Sequence, residues 1–182
     1  HLKFPSVLLQ NDLNEEYQKI LETAVMLFMR FGIKSVSMDD LARELGMSKK
    51  TIYKHFSDKK DLVASALDKA LDLDRQACIR AYEGDSNAIQ KMINLSRYVS
   101  EMHSDMNPAV LYDITKYYPK LWVKFESFRG NFIKETILKN IEEGQKDGYY
   151  RKNLKPDIIS LLYITLIKGM MSQLSESSNP YD

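Results

Sequence analysis

One stretch of the sequence, residues 37–62, constrains the fold most, because it has the pattern of two short helices joined by a glycine turn. Ser37 stands three residues before Asp40, a capping-box-like pair that satisfies free backbone amides at a helix start. Gly46 ends that helix at a position where a positive φ is common, and glycine adopts a positive φ at little cost. Two residues later, Ser48 can cap a second helix. The pattern predicts a helix-turn-helix, whose second helix lies in the major groove of DNA.

The second helix of this pattern carries apolar and cationic residues on opposite faces. At 100° per residue, Ile52 and Phe56 fall on one side, which we expect to be buried. Lys50 and Lys54 then point outward, and residues 49–60 contain five lysines against one aspartate, a local charge of +4. A lysine-rich helix face is more often only solvated, but at helix-turn-helix spacing it indicates contacts with phosphate oxygens and base edges. The predicted DNA-binding residues are Ser37, Lys49, Lys50, Thr51, Tyr53, Lys54, His55 and Lys59.

Residues 46–62, with the sequence GMSKKTIYKHFSDKKDL, resemble the recognition-helix signature of the tetracycline-repressor (TetR) family of bacterial transcription regulators. The positions that match in register are Gly46, Met47, Ser48, Thr51, Ile52, Tyr53, His55, Phe56, Lys59 and Asp61. The sequence departs from the signature at Lys50, where the family often has glycine or proline, and at Lys60, where an acidic residue is common. Both departures leave the helix intact and add positive charge toward DNA. The resemblance covers residues 15–80 well and is architectural beyond them.

This resemblance implies an all-α fold with an N-terminal three-helix helix-turn-helix DNA-binding domain, followed by a C-terminal helical domain for ligand binding and dimerisation. We assign residues 14–60 to the first domain and residues 61–182 to the second, with a linking helix over about residues 58–82. Residues 1–13 contain Pro5 and show no helical period, so we expect a flexible N-terminal arm there. The implied partners are double-stranded operator DNA, a small-molecule effector and a second copy of the chain.

The aromatic and methionine side chains of residues 87–174 allow two interpretations. They could line an apolar cavity for a small ligand. At helical spacing, each of them is more often an ordinary core residue. The family resemblance favours a cavity without identifying its lining. The candidate pocket residues are Met92, Met102, Tyr112, Tyr117, Trp122, Phe125 and Phe128.

The last predicted helix, residues 157–174, is apolar nearly all round. Such a helix must be covered on every side. Helices of its own domain can cover one side, and we expect a second subunit to cover the other. In the TetR family the last two helices of each subunit form a four-helix interface, and the sequence leaves open whether a further helix completes it here. The predicted interface residues are Leu162, Ile167 and Met170.

Composition and the absence of known motifs exclude several other classes of protein. The 182 residues are 44% apolar and 28% charged, as in soluble globular proteins, and the net charge of +1 requires DNA affinity to come from a local patch. The single cysteine, Cys78, lies in an apolar helical pattern, which predicts a buried thiol. The sequence contains no phosphate loop, dinucleotide fingerprint or nucleophile elbow, and its three histidines lie far apart. No apolar run reaches the roughly 18 residues of a membrane span.

We therefore expect no catalytic residue, cofactor, metal or membrane partner, and a cytoplasmic location. Our interpretation is a sequence-specific DNA-binding transcriptional regulator, a repressor that a small apolar ligand releases from its operator. One alternative keeps DNA binding without an effector. A second alternative is a small-molecule-binding protein or enzyme in which the basic helix is incidental.

Overall fold

The computed structural model of the chain describes residues 5–83, 86–105 and 107–176. Within these ranges the chain is all-α, as predicted, and no strand is present. The eight described helices are α1 (Pro5–Phe31), α2 (Met38–Leu45), α3 (Lys49–Ile52), α4 (Lys59–Tyr82), α5 (Ala88–Asp105), α6 (Pro108–Tyr117), α7 (Pro119–Lys146) and α8 (Pro156–Glu176). None of the described helices is long and apolar enough to cross a membrane.

The chain divides into two compact units, His1–Ala70 (unit 1) and Leu71–Asp182 (unit 2). The division falls inside α4, which occupies nearly the same residues as the linking helix predicted over 58–82. Unit 1 therefore contains the predicted helix-turn-helix together with the first half of α4. Unit 2 contains the second half of α4 and helices α5–α8.

Helix α1 begins at Pro5, so the prediction of a flexible arm over residues 1–13 is wrong for residues 5–13. Proline suits the first turn of a helix because the amide that it lacks would have no partner there, and its fixed φ is already helical. The sequence analysis counted Pro5 against a helix, whereas in the structure it starts one. Residues 1–4 lie outside the described part of the chain.

The core of unit 1 receives side chains from all four of its helices. Leu41, Ile52 and Leu62 are fully buried, and Phe56 is 1% exposed. The ring of Tyr17 on α1 stacks on Phe56 with 4.9 Å between ring centroids. The buried side chains of Leu41, Ile52, Phe56 and Leu62, which come from the predicted helix-turn-helix and the start of α4, thus belong to one core.

The core of unit 2 combines the second half of α4 with α5 and α7. Its buried cluster contains Cys78, Leu95, Ile133, Ile137 and Ile141, and partly buried side chains of α8 pack against it. The thiol is buried, as the sequence predicted.

A buried polar cluster ties the start of α5 to the end of α7. The side-chain amide of Asn140, which is fully buried, donates to the backbone carbonyl of Ala88 at 2.8 Å. The Tyr150 hydroxyl donates to the Asn140 side-chain oxygen at 3.0 Å and lies 3.2 Å from the same Ala88 carbonyl. Gly144 lies against the Tyr150 ring, and an added Cβ would overlap that ring and lie 3.0 Å from the Ala88 Cβ.

We expect Gly144→Ala to destabilise the protein by about 1–3 kcal/mol, because the overlap must push Tyr150 away from its hydrogen bonds. Gly130→Ala on the same helix is the matched control, since nothing lies within 4 Å of its added Cβ. At such a site alanine should stabilise the helix by about 0.5–1 kcal/mol. Urea unfolding followed by circular dichroism measures both. Equal stability of the two variants would refute the predicted overlap.

Candidate nucleic-acid interface and ligand site

Local hydrogen bonds hold the helix-turn-helix as the sequence predicted. The Asp40 amide donates to the Ser37 hydroxyl at 3.1 Å, and the Ser37 amide donates to the Asp40 carboxylate at 2.9 Å, which completes a capping box. The hydrogen bonds from the Ser37 side chain and backbone lower the pKa of Asp40 below its ordinary value. Gly46 ends α2 with φ of 63°, and the Thr51 amide donates to the Ser48 hydroxyl at 3.1 Å at the start of α3.

Helix α3 and the turn after it form the recognition segment, residues 48–56. Only Lys49–Ile52 is α-helical, and the chain then turns through residues 53–55. Ile52 and Phe56 are buried, as predicted, and anchor the segment to the core of unit 1. The opposite side of the segment is exposed.

Four of the predicted DNA-binding residues lie exposed on this segment: Lys49, Lys50, Tyr53 and Lys54. Within the described part of the chain neither Lys50 nor Lys54 forms an ion pair. Tyr53 is 46% exposed and can present its hydroxyl beside them. Two ammonium groups and a phenol are suited to phosphate oxygens and base edges.

Lys49 is exposed but forms an ion pair. Its Nζ lies 2.9 Å from Oδ1 and 3.2 Å from Oδ2 of Asp39 in the first turn of α2. The hydrogen bond to Asp39 raises the pKa of the Lys49 ammonium above its ordinary value. In the free protein the Lys49 ammonium is therefore held by the Asp39 carboxylate.

His55, also predicted to contact DNA, is largely buried against α1. Its Nε2 is 2.7 Å from Oε2 of Glu16 on α1, and its side chain is 9% exposed. The edge of its ring also faces Tyr17, at 6.2 Å between ring centroids. The chain turns after Ile52 and directs His55 toward α1, and contact of His55 with DNA stays a prediction. In this structure His55 fastens the recognition segment to α1.

Three further predicted DNA-binding residues make hydrogen bonds within unit 1. The Lys59 ammonium donates to the Ile33 carbonyl at 2.6 Å. The Ser37 hydroxyl serves the capping box, and the Thr51 hydroxyl lies 2.9 Å from the Ser48 hydroxyl. These bonds give each residue a structural role, and contact with DNA stays a prediction for all three.

Two small cavities lie among the described residues of unit 2. One, of about 30 Å³, lies between α7 and α8 and includes the Trp122 and Phe125 rings, stacked at 5.5 Å, and the Glu126 side chain. The other, of about 20 Å³, is bordered by Asp74 and Cys78 of α4 and by residues of α5, α7 and α8. Each volume accommodates one or two water molecules. A larger ligand in either of these cavities requires the helices that line it to move apart.

The predicted pocket residues have several different positions. Trp122 and Phe125 line the α7–α8 cavity, and Met92 packs against the core cluster. Tyr117 and Phe128 are each 42% exposed and line neither cavity, so the structure gives no support to their assignment. Tyr112 is half-buried and accepts a hydrogen bond from Lys116. The side chain of Met102 lies outside the described residues.

Polar residues that were not predicted as site residues also line the two cavities. Glu126 and Lys168 border the α7–α8 cavity, and Asp74 borders the second cavity while accepting a hydrogen bond from the Tyr98 hydroxyl at 2.6 Å. The sequence did contain a signal for Glu126, because this charged residue directly follows Phe125 and lies one helical turn after Trp122. Among the described residues no group of three or more histidine, cysteine, aspartate or glutamate side chains could hold a metal ion.

The predicted dimer-interface residues also differ in their exposure. Leu162 is 55% exposed, whereas Ile167 packs against the core cluster of its own unit and lines both cavities. Ile167 is half-buried against this cluster, and its contact with a second copy stays a prediction. The side chain of Met170 lies outside the described residues.

Comparisons with known sequences agree on one class of protein. Residues 20–66 match the profile of the family described as bacterial regulatory proteins, tetR family. The uncharacterized HTH-type transcriptional regulator YvaF of Bacillus subtilis (strain 168) is 27% identical over 167 residues, which cover 90% of this chain and 83% of that protein. An HTH-type transcriptional regulator of Staphylococcus aureus (strain USA300) is 38% identical over 65 residues, 36% of this chain and 35% of that protein.

Solved structures give the same likeness. A proposed transcriptional regulator from Saccharomonospora viridis, in complex with choline, has a TM-score of 0.71 and 26% identity, covering 88% of this chain and 85% of that one. A TetR transcriptional regulator from Chloroflexus aurantiacus J-10-FL has a TM-score of 0.72 and 20% identity, with 90% and 86% covered. The second likeness shows the fold alone. The matches extend through both units, beyond the 47 residues of the family profile (66 − 20 + 1).

Proposed function

We propose that this chain, a DNA-binding transcriptional regulator of the tetR family, acts in the cytoplasm as a homodimeric repressor that a small ligand releases from its operator. The observation that carries the DNA-reading part is the exposed recognition segment. Lys50, Tyr53 and Lys54 extend from a helix-turn-helix that capping bonds and a buried core hold in place. Such a segment can contact base edges while neighbouring lysines contact phosphates.

An exposed apolar row on α8 supports the homodimer. Ile158, Leu161, Leu162 and Leu166 are 57%, 62%, 55% and 66% exposed. Contiguous apolar side chains of this size mark protein interaction surfaces, and a second copy offers the same row in a two-fold contact. Two recognition segments would then read a pseudo-palindromic operator, with half-sites about 34–36 Å apart or a multiple of that spacing.

The effector is proposed to be small and mainly apolar, with organic cations as the first class to test. The Saccharomonospora viridis protein was crystallised with choline, and the α7–α8 cavity offers stacked rings and a carboxylate. Aromatic faces attract quaternary ammonium groups, and Glu126 can supply the counter-charge. The small volume of both cavities favours a second candidate function, a DNA-binding regulator without an effector.

Selection of bound sequences from random duplex DNA tests the proposed function. We expect enrichment of a pseudo-palindromic sequence, followed by its release in a screen of organic cations and apolar small molecules. No enriched sequence would refute the sequence-specific regulator. Enrichment of an operator that no compound releases would favour the effector-independent regulator.

We expect two lysines to affect operator binding differently. Lys50→Ala should relax preference at one base pair by about 1–3 kcal/mol, as for a base contact. Lys59→Ala should weaken binding to all sequences and lower the salt slope by about one unit, as for a phosphate contact. Affinities across an operator library measure both effects, and unfolding curves correct for the lost Ile33 bond. The same pattern in both variants would contradict this division of roles.

A further inference from the structure

Asp39 and Lys49 form an ion pair that links the first turns of α2 and α3. The residues are ten apart in the sequence, and Nζ lies 2.9 Å from Oδ1. Both side chains face solvent, with 71% of Asp39 and 50% of Lys49 exposed. The ion pair is thus not needed to satisfy a buried charge, and it occupies the same exposed end of α3 as Lys50.

The neighbouring charges have other partners or none. Asp40 is held by the capping bonds to Ser37 and by an ion pair with Arg43, so its carboxylate has a local structural role. Asp39 is not part of that capping box. Lys50 lies next to Lys49 and forms no ion pair within the described part of the chain. Among these groups, Asp39 alone holds a cation of the recognition segment.

An aspartate in this position opposes sequence-independent binding to DNA. A phosphate that approaches Lys49 must displace the Asp39 carboxylate or meet its negative charge. Affinity for arbitrary DNA comes almost entirely from lysine and arginine contacts with phosphates. A lysine that is held by a carboxylate therefore makes one fewer such contact. Repulsive charges of this kind suppress unwanted partners more than they strengthen wanted ones.

We propose that Asp39 restrains the binding of this protein to arbitrary DNA by holding Lys49 away from phosphates. This inference rests on the proposed role of the recognition segment as the DNA-binding surface. It makes Asp39 a positioning residue that acts through Lys49. Removal of Asp39 should therefore raise the affinity for arbitrary DNA. Removal of Lys49 should abolish this effect of Asp39.

The test compares Asp39→Asn with Glu44→Gln on random-sequence duplex DNA over a range of salt concentrations. Glu44 is exposed on the same helix and forms no ion pair within the described residues, so its variant changes the net charge equally without releasing a lysine. We expect Asp39→Asn to raise affinity about three- to eightfold at 0.1 M salt and to steepen the salt slope by about 0.9, as one added phosphate contact does. Glu44→Gln should raise affinity less and leave the slope unchanged.

A Lys49→Met background completes the experiment. There Asp39→Asn should behave like Glu44→Gln, because no lysine remains to be released. Equal effects of Asp39→Asn and Glu44→Gln in the wild-type background would overturn the inference. So would a loss of operator affinity confined to one base pair, which would make Asp39 a base-contacting residue.

The proposed DNA-binding surface is tested separately by Lys50→Ala combined with Lys54→Ala. If that variant binds DNA like the wild type, the proposed surface is wrong, whatever Asp39 does. If it loses binding while Asp39→Asn leaves affinity and slope unchanged, only the inference about Asp39 fails. Thermal unfolding of each variant confirms that the comparison is made between folded proteins.

Discussion

Replacing Leu162 by glutamate is expected to convert the proposed dimer into monomers and to weaken operator binding by at least about a hundredfold, roughly 2.8 kcal/mol. Leu162 lies in the exposed apolar row of α8 together with Leu161 and Leu166. Burying one leucine contributes about 1.5–3 kcal/mol, and a two-fold interface contains each substitution twice. A buried, unpaired carboxylate adds a further penalty. Loss of the dimer also removes the gain in affinity that comes from binding two half-sites at once.

Light scattering or sedimentation at micromolar concentration measures the assembly, and operator binding is measured in parallel. Val123→Glu is the matched control, because Val123 is 65% exposed on α7, outside the α8 row. The control should remain a dimer with operator affinity close to that of the wild type. A wild-type monomer, or a Leu162→Glu dimer that still binds its operator, would refute the proposed interface.

The helix-turn-helix could be predicted from the sequence because its determinants are local. The capping box joins Ser37 to Asp40, and the second cap joins Ser48 to Thr51, in each case three residues apart. Gly46 takes the positive φ that its place after α2 requires. Bonds between residues this close in the sequence are fixed by the identity and order of the residues, before any packing is known.

The surroundings of the recognition segment could not be predicted, because they depend on contacts between distant residues. His55 bonds to Glu16, 39 residues away, and Lys59 bonds to the carbonyl of Ile33, 26 residues away. The sequence indicated that Lys50 and Lys54 face solvent, but not the partners that distant residues give to His55 and Lys59.

In unit 2 the sequence identified apolar residues without distinguishing the core from the surface. Leu162 and Ile167 both belong to the apolar pattern of α8, yet Leu162 is exposed and Ile167 packs inside its own unit. Tyr117 and Phe128 resemble Trp122 and Phe125 in composition, but only the latter pair lines a cavity. When a helix is apolar on most sides, hydrophobic periodicity no longer selects one face.

Replacing Ala77 by leucine is expected to weaken the coupling between ligand and operator while changing ligand affinity less. Helix α4 runs without interruption from Lys59 to Tyr82, across the division between the two units. Its second half borders a cavity through Asp74 and Cys78. We propose that a ligand that enlarges such a cavity displaces α4, and that the helix carries the displacement to its first turn. Binding would then shift the population away from the DNA-competent form.

Coupling of this kind is typically about 1–3 kcal/mol, which corresponds to five- to 150-fold weaker operator binding in the presence of ligand. Ala77 is half-buried beside Cys78, so a leucine there should hold the helix in one position and reduce that ratio. Gln76→Leu, on the exposed side of the same turn, is the matched control and should leave the ratio unchanged. The measurement is operator affinity with and without choline or the compound that the release screen selects, together with direct ligand binding. An unchanged ratio in a folded Ala77→Leu protein would exclude α4 as the transmitting element, because the substitution alters the half of the helix that borders the cavity.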